Sequence, residues 1–397
     1  HLELRRTETG EYIDPMPYFK HLLKDSKAPV GSLIGIYPIQ GKGVVNGSSH
    51  KKLLAIGNLK QPIHAWGEIY TGISAKDYMD GTSNFYGVHS VTLYVDSVQV
   101  FNSTTDKVLP DENRMINGFT DYEELTRTRR LIMRSYKLPG NQLRLLHTNE
   151  NRGAVTIDEE RDYHFRYVLE DNFGNRRTYQ FTVKGKRQDI PEYKPEANEM
   201  LYWNRTNVIQ KPGIELVVPR YYVYEDVPLR TDMRGDSSRI AFDYILDAGR
   251  TPIHSYCDLS IGLRHMPVAD TTKYYIVQKA GKWRSSMGGK YANGWIKTRV
   301  RSLGTFSVDV DTIAPQITPI GQGGWRTSRN IRFRIKDMES GIGSYKVYID
   351  GKFVLFGLKK GILVIQDPEK VKKGVPHKLE VTVTDQCGNM TRKEYKF

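Results

Sequence analysis

Hydrophobic and polar positions alternate along most of this chain. Ser90 to Phe101 (SVTLYVDSVQVF) places Val91, Leu93 and Val95 on one face, which predicts a strand, a tight turn at Asp96-Ser97 and a second strand. Further alternating or apolar runs lie at Ile214–Val218, Arg239–Ile245, Tyr274–Gln278, Trp295–Val300 and Gly304–Val310. Helical spacing is scarce. A short helix is expected over Pro17–Lys24, and a second, highly charged one over Asp121–Arg130.

The pattern recurs. Gly343 to Phe356 (GSYKVYIDGKFVLF) again alternates around a two-residue turn, Asp350-Gly351, of the kind that tolerates positive φ. The closing segments also match: YVLEDNFGNRRTYQFTV before Lys184 and LEVTVTDQCGNMTRKEYKF at the end both read strand, Asp-x-x-Gly-Asn turn, strand. Two domains of one kind follow, one ending near Lys186 and one at Phe397. Polar, Pro-containing stretches at Lys186–Ala197, Thr312–Pro319 and Asp25–Val30 read as junctions. The expectation is an all-β chain of tandem immunoglobulin-like β-sandwich domains. It divides into a front piece over 1–26, an immunoglobulin-like sandwich over 27–188, a second β-sandwich over 189–314 and a C-terminal immunoglobulin-like domain over 315–397.

Composition narrows the function. The 397 residues carry 59 Lys+Arg against 45 Asp+Glu, a net +14. The positive charge is scattered through strand-like segments such as Arg299, Arg301, Arg332, Arg334 and Lys336, with no basic arm or helix, so no nucleic-acid partner is expected. No apolar run approaches the length that spans a bilayer, so no membrane span is expected. Cys257 and Cys387 fall in different domains and are expected to be buried free thiols. The chain opens without Met and without a charged-then-apolar segment, as expected where a signal has been removed or where the sequence continues a longer protein.

The front piece reads HLELRRTETGEYIDPMPYF. It resembles the carboxy-terminal end of the catalytic domain of lysostaphin-like zinc endopeptidases, where a Gly-Pro-His-x-His motif precedes an alternating strand, a Gly turn and an Asp-Pro ending. The resemblance implies that His1 is the second His of that motif and a stranded zinc ligand. It makes Leu2–Arg6 the last core strand, Thr9-Gly10 the turn and Tyr12–Pro15 the exit from the fold, so that 1–26 is a peptidase remnant plus a short helix. Such a catalytic zinc takes three protein ligands and a water, and the other two ligands belong upstream of His1. Zinc is therefore expected in a full-length parent and no cofactor in this chain, which is expected to be inactive alone. The implied function is the non-catalytic β-sandwich region of a secreted or periplasmic bacterial envelope peptidase acting on cell-wall peptidoglycan, serving in targeting, positioning or regulation. Its expected partners are a cell-wall polymer or envelope protein and the peptidase domain itself. The alternative is a cell-surface adhesion or carbohydrate-binding module with no enzymatic activity.

Other chemistry is thinly represented. The remaining histidines include His147 and His164, considered as a facing pair, but show neither His-x-His nor His-Glu-x-x-His. No Gly-x-Ser-x-Gly elbow occurs, and the Gly321–Trp325 cluster lacks the Lys-Ser/Thr of a phosphate loop. Asp337-Met-Glu-Ser-Gly and Asp77-Tyr-Met-Asp80-Gly-Thr-Ser-Asn84 are oxygen-rich, yet neither has the spacing of a calcium loop. Flat aromatic rings stack on sugars or extended peptides. Trp283, Tyr291 and Trp295, set around hairpin turns, are the candidate binding residues, with sandwich packing as the competing role.

Overall fold

The alternating runs form strands, and the inward half of each run forms the core. The computed structural model describes residues 2–236 and 238–397, so the proposed zinc ligand His1 lies outside the described residues. The fold is all-β with several sheets and two compact units. One unit comprises His1–Thr206, Pro219–Pro228 and Gly249–Ser255; the other comprises Asn207–Val218, Leu229–Ala248 and Tyr256–Phe397.

In the first unit, one sheet runs in the order Leu146–Thr148, Val98–Thr104, Ser90–Val95, Asp162–Glu170, Arg176–Gly185, His64–Tyr78, Val30–Val45, Lys52–Ala55. Neighbours are antiparallel except Arg176–Gly185 and His64–Tyr78, which pair in parallel at Lys184↔His64. Leu93, Phe101, Phe165, Tyr167 and Leu169 point inward and are buried. Their period of two leaves every second residue of the same strands on the outer face. The Tyr167 hydroxyl, buried with them, is satisfied by Thr71 and Ser135 at 2.7 Å each. Asp96 (φ 48°) and Ser97 (φ 70°) form the expected two-residue turn, whose left-handed backbone matches the twist of the flanking strands.

The front piece forms a hairpin, Leu4–Arg5 with Tyr12–Ile13, turning at Gly10 (φ 68°). A two-stranded ribbon is marginal alone. Here Tyr12–Ile13 pairs with Lys107–Val108, and Arg144 bonds Glu11 at 3.0 Å and Glu112 at 2.7 Å, which ties the hairpin to the first unit. The first expected helix is shorter than its pattern. Met16–Phe19 is helical and Lys20–Leu22 tightens into a 3-10 turn, because no residue of either is buried and nothing extends the segment. The second runs Tyr122–Thr128, with Asp121 as N-cap accepting from the Glu124 N–H.

The second unit contains two sandwiches. One pairs a sheet of Val227–Arg234, Asp243–Asp247, Gly304–Val310, Tyr274–Ala280 and Trp283–Ser286 with a sheet of Asn207–Lys211, Ile214–Val218, Cys257–Gly262, Trp295–Val300 and Lys290–Ala292. The other is formed by two four-stranded sheets over Gln316–Lys396 around Trp325, Phe333, Leu363, Leu379, Val381 and Val383. Asp350 (φ 50°) and Gly351 (φ 78°) turn the predicted hairpin. Its second arm departs from expectation: Lys352–Phe353 pairs for two residues, then the chain crosses to the opposite sheet, where Phe356 is 3% exposed. An apolar run in a small sandwich is satisfied by either sheet, and periodicity does not choose between them.

Candidate functional site

The outer face of the first sheet is polar and ordered in rows. Register places His147, Asn102 and Thr92 side by side, and in the next row Tyr94, Arg166 and Gln180. The Arg166 guanidinium sits 4.1 Å from the centre of the Tyr94 ring, a cation–π contact over the ring face. Asn102 Nδ2 donates to the Thr92 and Ser90 hydroxyls at 2.9 and 3.3 Å. At one end this face opens into a groove of about 850 Å³ whose walls include Lys60, Asp96, His164, Arg166, Gln180 and Lys184. Asp96 is the acidic member. Partial burial opposes its ionisation, but the His164 N–H at 2.9 Å and Arg161 at 2.7 Å more than offset this and hold its carboxyl below the usual range. Lys60, Arg166 and Lys184 leave the groove net positive.

The residues singled out in the sequence are distributed differently. Trp283 lies on the edge strand of one sheet and is 81% exposed, whereas Tyr291 and Trp295 lie on the two strands of a hairpin of the other sheet, opposite Ile296 and Ala292, and are half-buried. Trp325 is a core residue. His147 and His164 are separated by two intervening strands. His254 packs among Tyr222 and Tyr224, with Nδ1 3.1 Å from the Tyr224 hydroxyl; burial, with Arg114 nearby, pushes its pKa down, as for a neutral core histidine. Neither Cys257 nor Cys387 is in a disulfide, and both are buried. Burial lifts their thiols to about 12 and about 11. Both are therefore expected to ignore a thiol-specific disulfide reagent at pH 8 in the native protein and to react at once in denaturant, an absorbance titration with two plateaus.

The oxygen-rich stretches at Asp77 and Asp337 prove to belong to two matching groups of aspartates whose other members the sequence did not reveal. Among the described residues, Asp25, Asp77 and Asp171 bring one carboxylate oxygen each within 4.8 Å of one another, and so do Asp311, Asp337 and Asp385. The two groups are built alike. Asp171 Oδ1 accepts from the Phe173 and Asn175 N–H groups, and Asn175 Nδ2 donates to Asp171 Oδ2 at 2.7 Å and to the Asp25 carbonyl at 3.1 Å. Asp385 Oδ1 accepts from Cys387 and Asn389, and Asn389 Nδ2 donates to Asp385 Oδ2 at 2.7 Å and to the Asp311 carbonyl at 3.0 Å. In each, the aspartate of the Asp-x-x-Gly-Asn turn is joined to an aspartate on the segment entering the module. Burial, with Asp171 and Asp25 near, lifts the Asp77 carboxyl to about 6; burial, with Asp311 near, lifts that of Asp385. The turns were legible as turns, but the partner aspartates lie far away in sequence.

A family model described as Zu5-like domain matches residues 198–311, less than half of the chain. No curated protein matches. Among solved structures, the chain is similar to a bacterial ice-binding adhesin studied for host cell surface retention, at 10% identity over 83% of this chain and 89% of that one, TM-score 0.15. It is also similar to a Ca2+-stabilized, ice-binding adhesin of an Antarctic bacterium, at 11% identity over 90% and 98%, TM-score 0.16. A third is SGBP-B of the Bacteroides ovatus mixed-linkage glucan utilization locus, solved with a heptasaccharide, at 9% identity over 82% and 62%, TM-score 0.14. No helix among the described residues is long and apolar enough to cross a membrane.

Proposed function

We propose that this chain is a non-catalytic, multi-domain β-sandwich protein of the bacterial cell envelope that binds an extended anionic polymer along the outer face of its first sheet. The observation that supports this reading is the groove at the end of that face, in which Arg166 stands opposite Gln180 while His164, on the strand of Arg166, and Lys184, on the strand of Gln180, share the same face. Strand geometry sets donors on the two neighbouring strands roughly 4.8 Å apart and donors two residues apart on one strand roughly 6.8 Å apart, spacings suited to an extended ligand with repeated acceptors. The net charge of +14 adds long-range attraction to an anionic wall. Trp283 is a second proposed contact, its exposed ring available for stacking. Tyr291 and Trp295, half-buried on the other sheet, are proposed as weaker contacts.

The experiment is retention on purified bacterial sacculi and on a soluble acidic glycan. Binding is expected to fall about tenfold between 50 and 500 mM NaCl, since surface charges are screened beyond a few ångströms at high salt. R166A/K184A is expected to weaken binding about tenfold with unchanged thermal stability, the equivalent of about 1.4 kcal/mol. Retention indifferent to both salt and this double variant would refute the assignment.

The finer reading sets these modules behind a zinc peptidase domain. It is supported by the resemblance of residues 1–19 alone. Zinc and peptide cleavage in a protein extended upstream of His1, and in neither case in this chain alone, is the expected result.

A further inference from the structure

We propose that Asp25, Asp77 and Asp171 form a calcium site that fastens the segment entering the first sandwich to its end. The site is independent of polymer binding: it lies beyond Glu170, at the opposite end of the strand Asp162–Glu170 from the groove lined by His164 and Arg166.

Three elements converge there. Asp77 lies near the end of the strand His64–Tyr78, Asp171 opens the turn after the strand Asp162–Glu170, and Asp25 lies on the segment before the strand Val30–Val45. Asp77 is 7% exposed, and its Oδ1 is buried with no hydrogen-bond partner; Asp25 Oδ2 is likewise buried and unpartnered. Leaving a buried carboxylate oxygen unsatisfied is costly, and placing three carboxylates within 4.8 Å adds mutual repulsion. The nearby ammonium of Lys27 is engaged elsewhere, with the Met79 carbonyl at 3.0 Å and Asp80 at 3.9 Å. A divalent cation at the convergence answers both problems. An all-oxygen ligand set without thiolate or imidazole suits a hard cation, and the flexible, irregular geometry of a segment, a strand end and a turn favours calcium over magnesium, which demands a near-octahedral shell.

The second group, Asp311, Asp337 and Asp385, shows why the orphaned oxygens matter. There Asp337 Oδ2 accepts from the Glu339 and Gly341 N–H groups, and Asp311 is served by Ile313 and Ser340. Backbone donors do at that end what is left undone at the first, so the proposal is confined to the first.

The test uses the full chain stripped with chelator and dialysed, then compared with and without 5 mM CaCl2 at matched ionic strength by segment-resolved hydrogen exchange, with trypsin cleavage at Lys24 and Lys27 as a second readout. Calcium is expected to slow exchange about tenfold over residues 25–30, 76–82 and 171–176, to protect both lysines, and to act with a Kd on the order of 0.1 mM. MgCl2 at the same concentration is expected to do neither. D77N is expected to abolish the response. Because Asp77 is buried, D25N, on the segment outside the strands, is the second variant; it is expected to lose the response while the strand Asp162–Glu170 keeps its protection. No slowing in calcium, equal slowing in magnesium, or a response that survives both variants would overturn the site.

Discussion

Replacing Trp325 by alanine is expected to unfold the C-terminal sandwich or leave it marginal. Trp325 is the largest wholly buried side chain of that domain, at 0% exposure. Its ring meets Phe333 at 5.0 Å, Phe397 at 5.8 Å and Tyr395 at 5.9 Å, all edge-on or nearly so, and its Nε1 donates to the Ile320 carbonyl at 2.9 Å. Truncating such a residue costs about 3–5 kcal/mol through lost burial and the cavity left behind. A domain of this size has a total stability of about 5–10 kcal/mol, so the loss corresponds to a fall in midpoint on the order of 20 °C. The check is thermal hydrogen exchange read over the strands Arg332–Lys336 and Lys378–Asp385, since a multi-domain chain has no single transition. W283A is the control. Its ring is exposed, and its removal is expected to change stability by less than about 0.5 kcal/mol. Protection of both strands unchanged in W325A would show that the ring is not the keystone its contacts describe.

Trp283 and Trp325 also mark what the sequence disclosed. Both lie near glycines and were readable as turn-associated aromatics, yet one is exposed and one is the centre of a core. Alternation identifies a strand and its two faces, but only the second sheet decides which face is inward. The hairpins at Asp96-Ser97 and Asp350-Gly351 were legible because a two-residue turn fixes its own register through local φ values. The crossover after Phe353 was not, because leaving one sheet for the other depends on long-range packing. The charged groove was invisible for the same reason: Arg166 and Lys184 share a face only because Asp162–Glu170 pairs with Arg176–Gly185 in one register. Loop composition did point to Asp77 and Asp337 as oxygen-rich. Short-range spacing then argued against a cation, since each group draws its three carboxylates from separate elements far apart in sequence.

The repeat itself yields the second large effect. Asn175→Ala and Asn389→Ala are expected to destabilise their own modules by similar amounts, about 2–4 kcal/mol each, because each removes the same pair of bonds. The side-chain amide of either asparagine links the carboxylate of its turn aspartate at 2.7 Å to the carbonyl of the aspartate on the entering segment. A hydrogen bond to a charged acceptor contributes about 1.5–3 kcal/mol and an amide–carbonyl bond about 1 kcal/mol, and truncation leaves both acceptors without that donor. Gly174 (φ 91°) and Gly388 (φ 80°) set the turn that aims the amide, so the pair Gly-Asn acts as one device in both modules. Asn→Asp is expected to cost more than Asn→Ala, since it replaces the donor with a charge next to Asp171 or Asp385. Segment-resolved hydrogen exchange separates the two modules: N175A should raise exchange over the strands 162–170 and 176–185 alone, and N389A over 378–385 and 390–396 alone. Unequal costs, with one module indifferent to losing its asparagine, would mean that the Asp-x-x-Gly-Asn turn is a shared outline and not a shared fastening.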